Sequence, residues 1–278
     1  MDRTTYIRTL YKDHPLQAVS ILERAEISAA KLNRTIEEQD LAVDYNLELT
    51  DQNHIGGLAA TLRLARLAGI ARRDRVLDAG CGLGGPARVL ASKYGCRVLG
   101  VDINVERIAD AELLTRKVQL SSLVKFECRD LKLQPIVGKF DVVWGQNSWL
   151  HLGIPEEVVP MLATPLVTGG RLALEEVCLL REARGSELGK LAELCEIWGC
   201  ALYFADSWRK AVGEACGKRP RAYLTLALLR SHLSRLESVS RRKGTVWSRR
   251  EAQGIVIARD LVKRGVMGYF RLVAVKVL

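Results

Sequence analysis

The chain has 278 residues, enough for one large α/β domain with an added cap and a substantial buried core. It contains no apolar run long enough to cross a bilayer, and its start, Met-Asp-Arg-Thr-Thr, lacks the apolar core of a signal peptide, so a cytoplasmic protein is expected. The net charge of +10 sits almost wholly between Lys218 and Arg250, where ten Lys or Arg face one acid, Glu237. A block of this kind is a solvated face or a means of drawing in an anionic partner. The seven cysteines are an odd number without a CxxC pair, which suggests neither a disulfide framework nor a zinc site; Cys195 and Cys200 are the candidate pair for metal or redox chemistry.

Residues 1–50 read as a helical lid or arm. Pro15 opens a segment with Leu16, Val19, Ile21 and Leu22 at roughly helical spacing, Ile36, Leu41 and Val43 continue it, and Tyr6, Tyr11 and Tyr45 are its aromatic residues. The polar stretch Asp51-Gln52-Asn53-His54-Ile55-Gly56-Gly57 precedes an amphipathic helix carrying Leu58, Leu62, Ala65 and Leu67, with Asp51 or Asn53 as its expected cap. From Arg75 strands and helices alternate, which predicts a largely parallel sheet covered by helices on both faces. The expected strands are 75–79, 97–102, 124–128, 140–144 and 171–178. The span 186–216 reads as a helical cap insert, within a looser region of about 180–220, and carries Trp198 and Trp208. The basic segment 218–250 carries Trp247. Residues 222–229 fit a strand or a buried helix equally, and 269–277 read as a strand.

The first strand runs into Gly80, Gly82 and Gly84, which let a ligand lie against the backbone where strand feeds helix, and Pro86 suits the first helical turn. Asp102 lies 22 residues after Gly80 at the second strand end, where an acid accepts from ribose hydroxyls. That spacing serves nicotinamide cofactors and S-adenosylmethionine alike. Asp78, inside a D-x-G-x-G-x-G pattern, separates the two: a dinucleotide site offers a helix N-terminus to a pyrophosphate, whereas S-adenosylmethionine carries an ammonium that an acid can meet. Asp130 closes the third strand within reach of an adenine amino group. Three acids at successive strand ends form one consistent set.

With RVLDAGCGLGGPA (75–87), VLGVDI (98–103), FECRDL (126–131), FDVVWGQNSWLHL (140–152) and PLVTGGRLALEEV (165–177), the chain resembles the class I S-adenosylmethionine-dependent methyltransferases. The resemblance is to their small-molecule branch of sarcosine/dimethylglycine, tocopherol and ubiquinone-pathway enzymes. It implies a Rossmann-like, mostly parallel seven-stranded sheet with an antiparallel last strand, spanning 51–278. It further implies that Gly80, Gly82 and Gly84 line the methionine tail, Asp102 and Ile103 hold the ribose, Asp130 and Leu131 meet the adenine, and Gln146 lies near the reactive methyl. Where many such relatives carry an acid after that glutamine, this chain has Asn147.

The expected reaction is in-line transfer of a methyl group to a nitrogen, oxygen or carbon of a small-molecule acceptor, leaving S-adenosylhomocysteine; no metal is required. An anionic acceptor and a homodimeric state are both compatible. An acceptor that loses a proton needs a base, for which His151 and His54 are the candidates. Trp149 fits a pocket wall or a ring that stacks on a cation, and equally a place in the core. The alternatives are an RNA methyltransferase gripping phosphates with 218–250, and an inactive scaffold. RNA is disfavoured because Gly-Gln-Asn-Ser is not the (Asn/Asp)-Pro-Pro-aromatic arrangement that holds a base amino group.

Overall fold

Alternate residues of the central strands are apolar on both faces, and each set is buried against a different helical layer. Leu77, Ala79, Val143, Leu172 and Leu174 enter one core cluster, while Val76, Val98, Val142, Trp144 and Ala173 enter another on the opposite face. Strands buried on both sides are the mark of a parallel sheet covered by helices. The computed structural model describes Thr5 and residues 17–42, 50–242 and 248–277. Tyr6, Tyr11, Pro15, Leu16, Val43, Tyr45 and Trp247 lie outside the described residues.

The strands are β1 (Arg75–Ala79), β2 (Arg97–Asp102), β3 (Val124–Cys128), β4 (Phe140–Gln146), β5 (Leu166–Leu179), β6 (Arg221–Leu224) and β7 (Met267–Val275). They form one sheet in the order β3-β2-β1-β4-β5-β7-β6. β1 to β5 are parallel to one another, and β7 runs antiparallel to both β5 and β6. This is the expected Rossmann-like sheet with an antiparallel final strand. The direction of winding reverses between β1 and β4, so the crevice beyond their carboxyl ends is where a ligand belongs in such a sheet.

The helices are α1 (Ala18–Ala30), α2 (Glu38–Ala42), α3 (Gly57–Ala68), α4 (Gly85–Tyr94), α5 (Val105–Lys117), α6 (Pro155–Ala163), α7 (Ser186–Trp198), α8 (Ala205–Cys216), α9 (Leu226–Ser240) and α10 (Arg249–Lys263). α1 packs on α5 and α2 on α4, and Ala18, Ile21, Leu22, Ala25 and Leu41 share a core with Leu83 of the glycine turn. The described part of the N-terminal segment is therefore packed directly behind that turn.

Four sequence expectations are corrected. α3 is capped by neither Asp51 nor Asn53; its cap is Gly56 at φ +87°, and Asp51 is spent on a buried ion pair. β5 begins at Leu166, because Gly169 and Gly170 pass through the strand instead of turning into it. The helical span 186–216 divides at Gly199, a left-handed C-cap, into α7 and α8. The undecided stretch 222–229 holds both answers, since β6 ends at Leu224 and α9 starts at Leu226.

The basic segment is thus β6, α9 and the start of α10. Part of its charge is met internally: Glu237 pairs with Arg241 and Arg259, and Arg250 with Glu196. Among the described residues no helix is long and apolar enough to cross a membrane, and no group of three or more metal-ligating side chains converges.

Candidate functional site

The glycine turn is pinned to the neighbouring strand. Gly80 and Cys81 both donate to Val101 O, at 2.8 and 3.1 Å, and Gly82 donates to Asp102 Oδ2 at 2.9 Å. Two glycines are demanded by geometry. Gly80 sits at φ +80°, and a Cβ there would lie 2.5 Å from Ser148 Cβ, because the end of β1 and the loop after β4 touch at that point. Gly82 sits at φ +52°, and a Cβ there would meet nothing within 4 Å. The space in front of Gly82 is a cavity open to solvent at its mouth.

That cavity collects Asp78, Gly80, Gly82, Asp102, Ile103, Asp130, Leu131, Gln146, His54 and His151. Of the cofactor and base residues expected from sequence, Gly84 alone is absent from its wall; it is the left-handed N-cap of α4, closed off by Phe126. Pro86, Asn53, Arg107, Asn147, Ser148 and Leu152 also line it.

The three acids occupy different environments. Asp78 is 2% exposed, and its Oδ2 is buried with no hydrogen-bond partner among the described residues. Burial, reinforced by Asp102, pushes this carboxyl up to about 7. Asp102 accepts from Asn104 N through Oδ1 and from Gly82 N through Oδ2, both at 2.9 Å. Burial raises its pKa, and those backbone donors and Arg107 oppose the rise. Asp130 accepts from Lys132 N at 2.9 Å, which fixes the turn after β3.

Behind the cavity lies a polar layer that the sequence shows only as fragments. Gln146 donates to Glu175 Oε2 at 2.8 Å and accepts from Trp144 Nε1 at 3.2 Å. Glu175, wholly buried, pairs with Arg271 of β7. Its neighbour Glu176 accepts from the backbone of Ser148 (3.0 Å) and Trp149 (2.8 Å), and burial pushes it up to about 8. Two adjacent acids inside an apolar strand, Glu175 and Glu176, with an arginine in the last strand, were the available signal for this layer.

Trp149 is not a pocket wall. Its ring is fully buried, donates to Ala79 O at 3.2 Å and packs on Trp208 at 6.5 Å between centroids. Gly145 makes room for it, since a Cβ there would lie 2.2 Å from Trp149 Nε1.

The two histidines differ. His54 has Nδ1 at 3.3 Å from Ile55 O and Nε2 at 3.0 Å from Thr61 Oγ1, and burial lowers its pKa to about 4. It is a neutral ring tied into the wall. His151 is half-buried, and its Nδ1 lies 3.0 Å from Gly199 O. A carbonyl only accepts, so Nδ1 carries the proton and Nε2 is the basic nitrogen.

Residues 77–174 match the model of a methyltransferase domain. The chain is 30% identical over 155 residues to the chloroplastic tocopherol O-methyltransferase of Arabidopsis thaliana, covering 52% of this chain and 44% of that protein. It is 39% identical over 114 residues to the sterol 24-C-methyltransferase of Saccharomyces cerevisiae, covering 41% of this chain and 30% of that protein. The chain spans less than half the length of each of these relatives. Among solved structures it resembles a sarcosine dimethylglycine methyltransferase from Galdieria sulphuraria, with a TM-score of 0.68 at 19% identity over 79% of this chain and 86% of that one. It also resembles the geranyl diphosphate C-methyltransferase of Streptomyces coelicolor, solved with S-adenosylhomocysteine, with a TM-score of 0.66 at 16% identity over 78% of each chain. These structural likenesses establish the fold.

Proposed function

We propose, from the match of residues 77–174 to a methyltransferase domain and from the geometry of the cavity, that the cavity binds S-adenosylmethionine and that the protein transfers its methyl group to a small-molecule acceptor. The observation that carries this reading is Asp78 Oδ2, a buried carboxylate oxygen without a partner among the described residues, beside a glycine turn that leaves open space. A buried acid in that state fits a cationic donor, and the α-ammonium of the cofactor supplies one. Nothing in the turn fits a pyrophosphate so well, because Asp78 and Asp102 both bring negative charge to it.

In this reading Gly80 and Gly82 accommodate the methionine tail, Asp102 and Ile103 take the ribose, and Asp130 with Leu131 takes the adenine. Bound there, the sulfonium provides a methyl group already activated for displacement. The chain's own residues then have to orient the acceptor and keep water away. Gln146 serves as part of the wall, since its amide is engaged by Glu175 and Trp144. Where the acceptor loses a proton, His151 Nε2 is assigned to receive it. His54, held neutral on both sides, positions the loop 51–57.

Titration calorimetry tests the cofactor assignment: micromolar binding of S-adenosylhomocysteine and none of a nicotinamide dinucleotide is the expected result. Tight binding of the dinucleotide alone overturns it. Gly82→Val should keep the fold, at a cost on the order of 1–2 kcal/mol for the left-handed backbone, while its side chain fills the space meant for the ligand. Near-normal affinity for S-adenosylhomocysteine in that variant counts against the assignment.

A further inference from the structure

Asn147 follows β4 directly and is one of three described non-glycine residues with positive φ, at +53°. Its backbone N–H donates to Glu175 O at 2.9 Å. Its side-chain Oδ1 accepts from Ile55 N, in the loop 51–57, and lies 3.1 Å from the hydroxyl of Tyr269 in β7, again at hydrogen-bond distance. A backbone N–H can only donate, so the atom facing Ile55 must be the amide oxygen, and the orientation of the side chain is settled by that contact. The amide Nδ2, with its two protons, is left on the other branch of a side chain that lines the cavity. No protein group among the described residues accepts from it.

Charge on this side of the cavity points the same way. Away from the glycine turn and the ends of β2 and β3, the lining carries a single acid, Asp51, beside Asn53, His54, Asn147, Ser148 and His151. Two carboxylates lie behind this wall and both are fully buried: Glu176 is turned to the backbone of Ser148 and Trp149, and Glu175 is paired with Arg271 and reaches the Tyr269 hydroxyl. Asp51 is closed by Arg88. A protonated amine brought here would find no carboxylate to meet it, whereas an oxygen would find a donor fixed at two points.

We propose that Asn147 is the specificity-determining donor of the acceptor subsite: its Nδ2 hydrogen-bonds an oxygen of the acceptor, which selects hydroxyl-, carbonyl- or carboxylate-bearing molecules over protonated amines. This rests on the methyltransferase reading, in which the glycine turn holds the cofactor and leaves this wall to the acceptor.

The test uses full-length ¹⁵N-labelled protein saturated with S-adenosylhomocysteine and three probes: 4-fluorophenol, 4-fluorobenzoate and 4-fluorobenzylamine. The Asn147 side-chain amide is assigned by triple-resonance spectroscopy, so the wild-type protein is informative by itself. The oxygen-bearing probes are expected to bind in preference to the amine and to shift the Asn147 amide signal. In Asn147→Asp, whose carboxylate still accepts from Ile55 and Tyr269 but cannot donate, the two oxygen probes should weaken about tenfold or more and the benzylamine should gain. S-adenosylhomocysteine affinity should stay within about twofold in that variant, as expected for a residue that contacts the acceptor only. Absence of S-adenosylhomocysteine binding to the wild type defeats the functional reading itself. With that binding intact, the proposal is overturned by a wild-type preference for benzylamine, by an Asn147 amide that no probe shifts, or by an unchanged preference in Asn147→Asp.

Discussion

Asp78→Asn is expected to raise the melting temperature of the ligand-free protein at pH 8 and to cut its affinity for S-adenosylmethionine by two orders of magnitude or more. Both effects have one cause. The carboxyl titrates near 3.8 when solvated and near 7 in the fold. Between those values the folded protein holds a proton that the unfolded chain has released, so wild-type stability falls as pH rises from about 4 to about 7 and is level above. Keeping the ionised carboxylate in the fold above pH 7 therefore costs about 4 kcal/mol. The amide escapes that cost but leaves its own N–H groups without partners, so a net gain of about 1–2 kcal/mol is the expected size. This corresponds to roughly 2–8 °C in a chain of this length. The gain should be absent near pH 4, where the wild-type carboxyl is largely neutral in both states.

Cofactor affinity follows the same titration in the opposite sense. The α-ammonium requires the ionised carboxylate, so wild-type affinity should fall about tenfold for each pH unit below 7, with binding releasing a proton. The variant should bind weakly and without that pH dependence. Calorimetry in buffers of different ionisation enthalpy measures the released proton, and thermal unfolding at pH 4 and pH 8 measures the stability. A variant less stable than wild type at pH 8, or one that keeps its affinity, refutes the role given to Asp78. The pattern is that of a site kept unstable for the sake of its ligand.

Asp78 was legible in the sequence because it sits inside a motif whose spacing has a physical meaning. The same holds for Gly80, Gly82, Asp102 and Asp130, since an alternating strand and helix pattern places strand ends side by side. Trp149 takes the core place, one of the two its sequence context allows, for a reason periodicity does not reveal. Its indole is admitted to the core by the missing side chain of Gly145, a relation set by the turn after β4. The layer of Gln146, Glu175, Tyr269 and Arg271 was legible only as fragments because its members come from distant parts of the chain and meet through the β5–β7 register, in which Glu175 lies opposite Arg271. Gln146 and Asn147 are adjacent in sequence and both line the cavity, yet the Gln146 amide is engaged on both sides whereas only the oxygen of the Asn147 amide meets partners among the described residues. Their hydrogen-bond partners decide that difference.

Arg88→Met is expected to destabilise the protein by about 3–5 kcal/mol. Arg88 reads in sequence as one more cation on α4, but it is wholly buried, and so is the side chain of its partner Asp51. Nε and Nη2 donate to Asp51 Oδ2 at 3.3 and 2.8 Å; Nη2 also reaches Leu83 O at 2.6 Å, and Nη1 reaches Ala111 O and Thr115 Oγ1 at 3.1 and 3.0 Å. One guanidinium therefore joins the loop that carries Asn53 and His54, the glycine turn and α5. The fit is close, because a Cβ on Gly85 would lie 2.2 Å from Asp51 O. Methionine fills the volume but leaves the Asp51 carboxylate buried without its cation, which costs more than the pair itself contributes. The double variant Asp51→Asn/Arg88→Met removes that stranded charge, so it should recover a substantial part of the loss, with a coupling of roughly 1–3 kcal/mol in the double-mutant cycle. Urea unfolding of the four proteins measures it. Additive losses would mean that Asp51 and Arg88 act independently. The single variant should also bind S-adenosylhomocysteine more weakly, since Leu83 and the 51–57 loop lose the contact that sets their distance from Gly82.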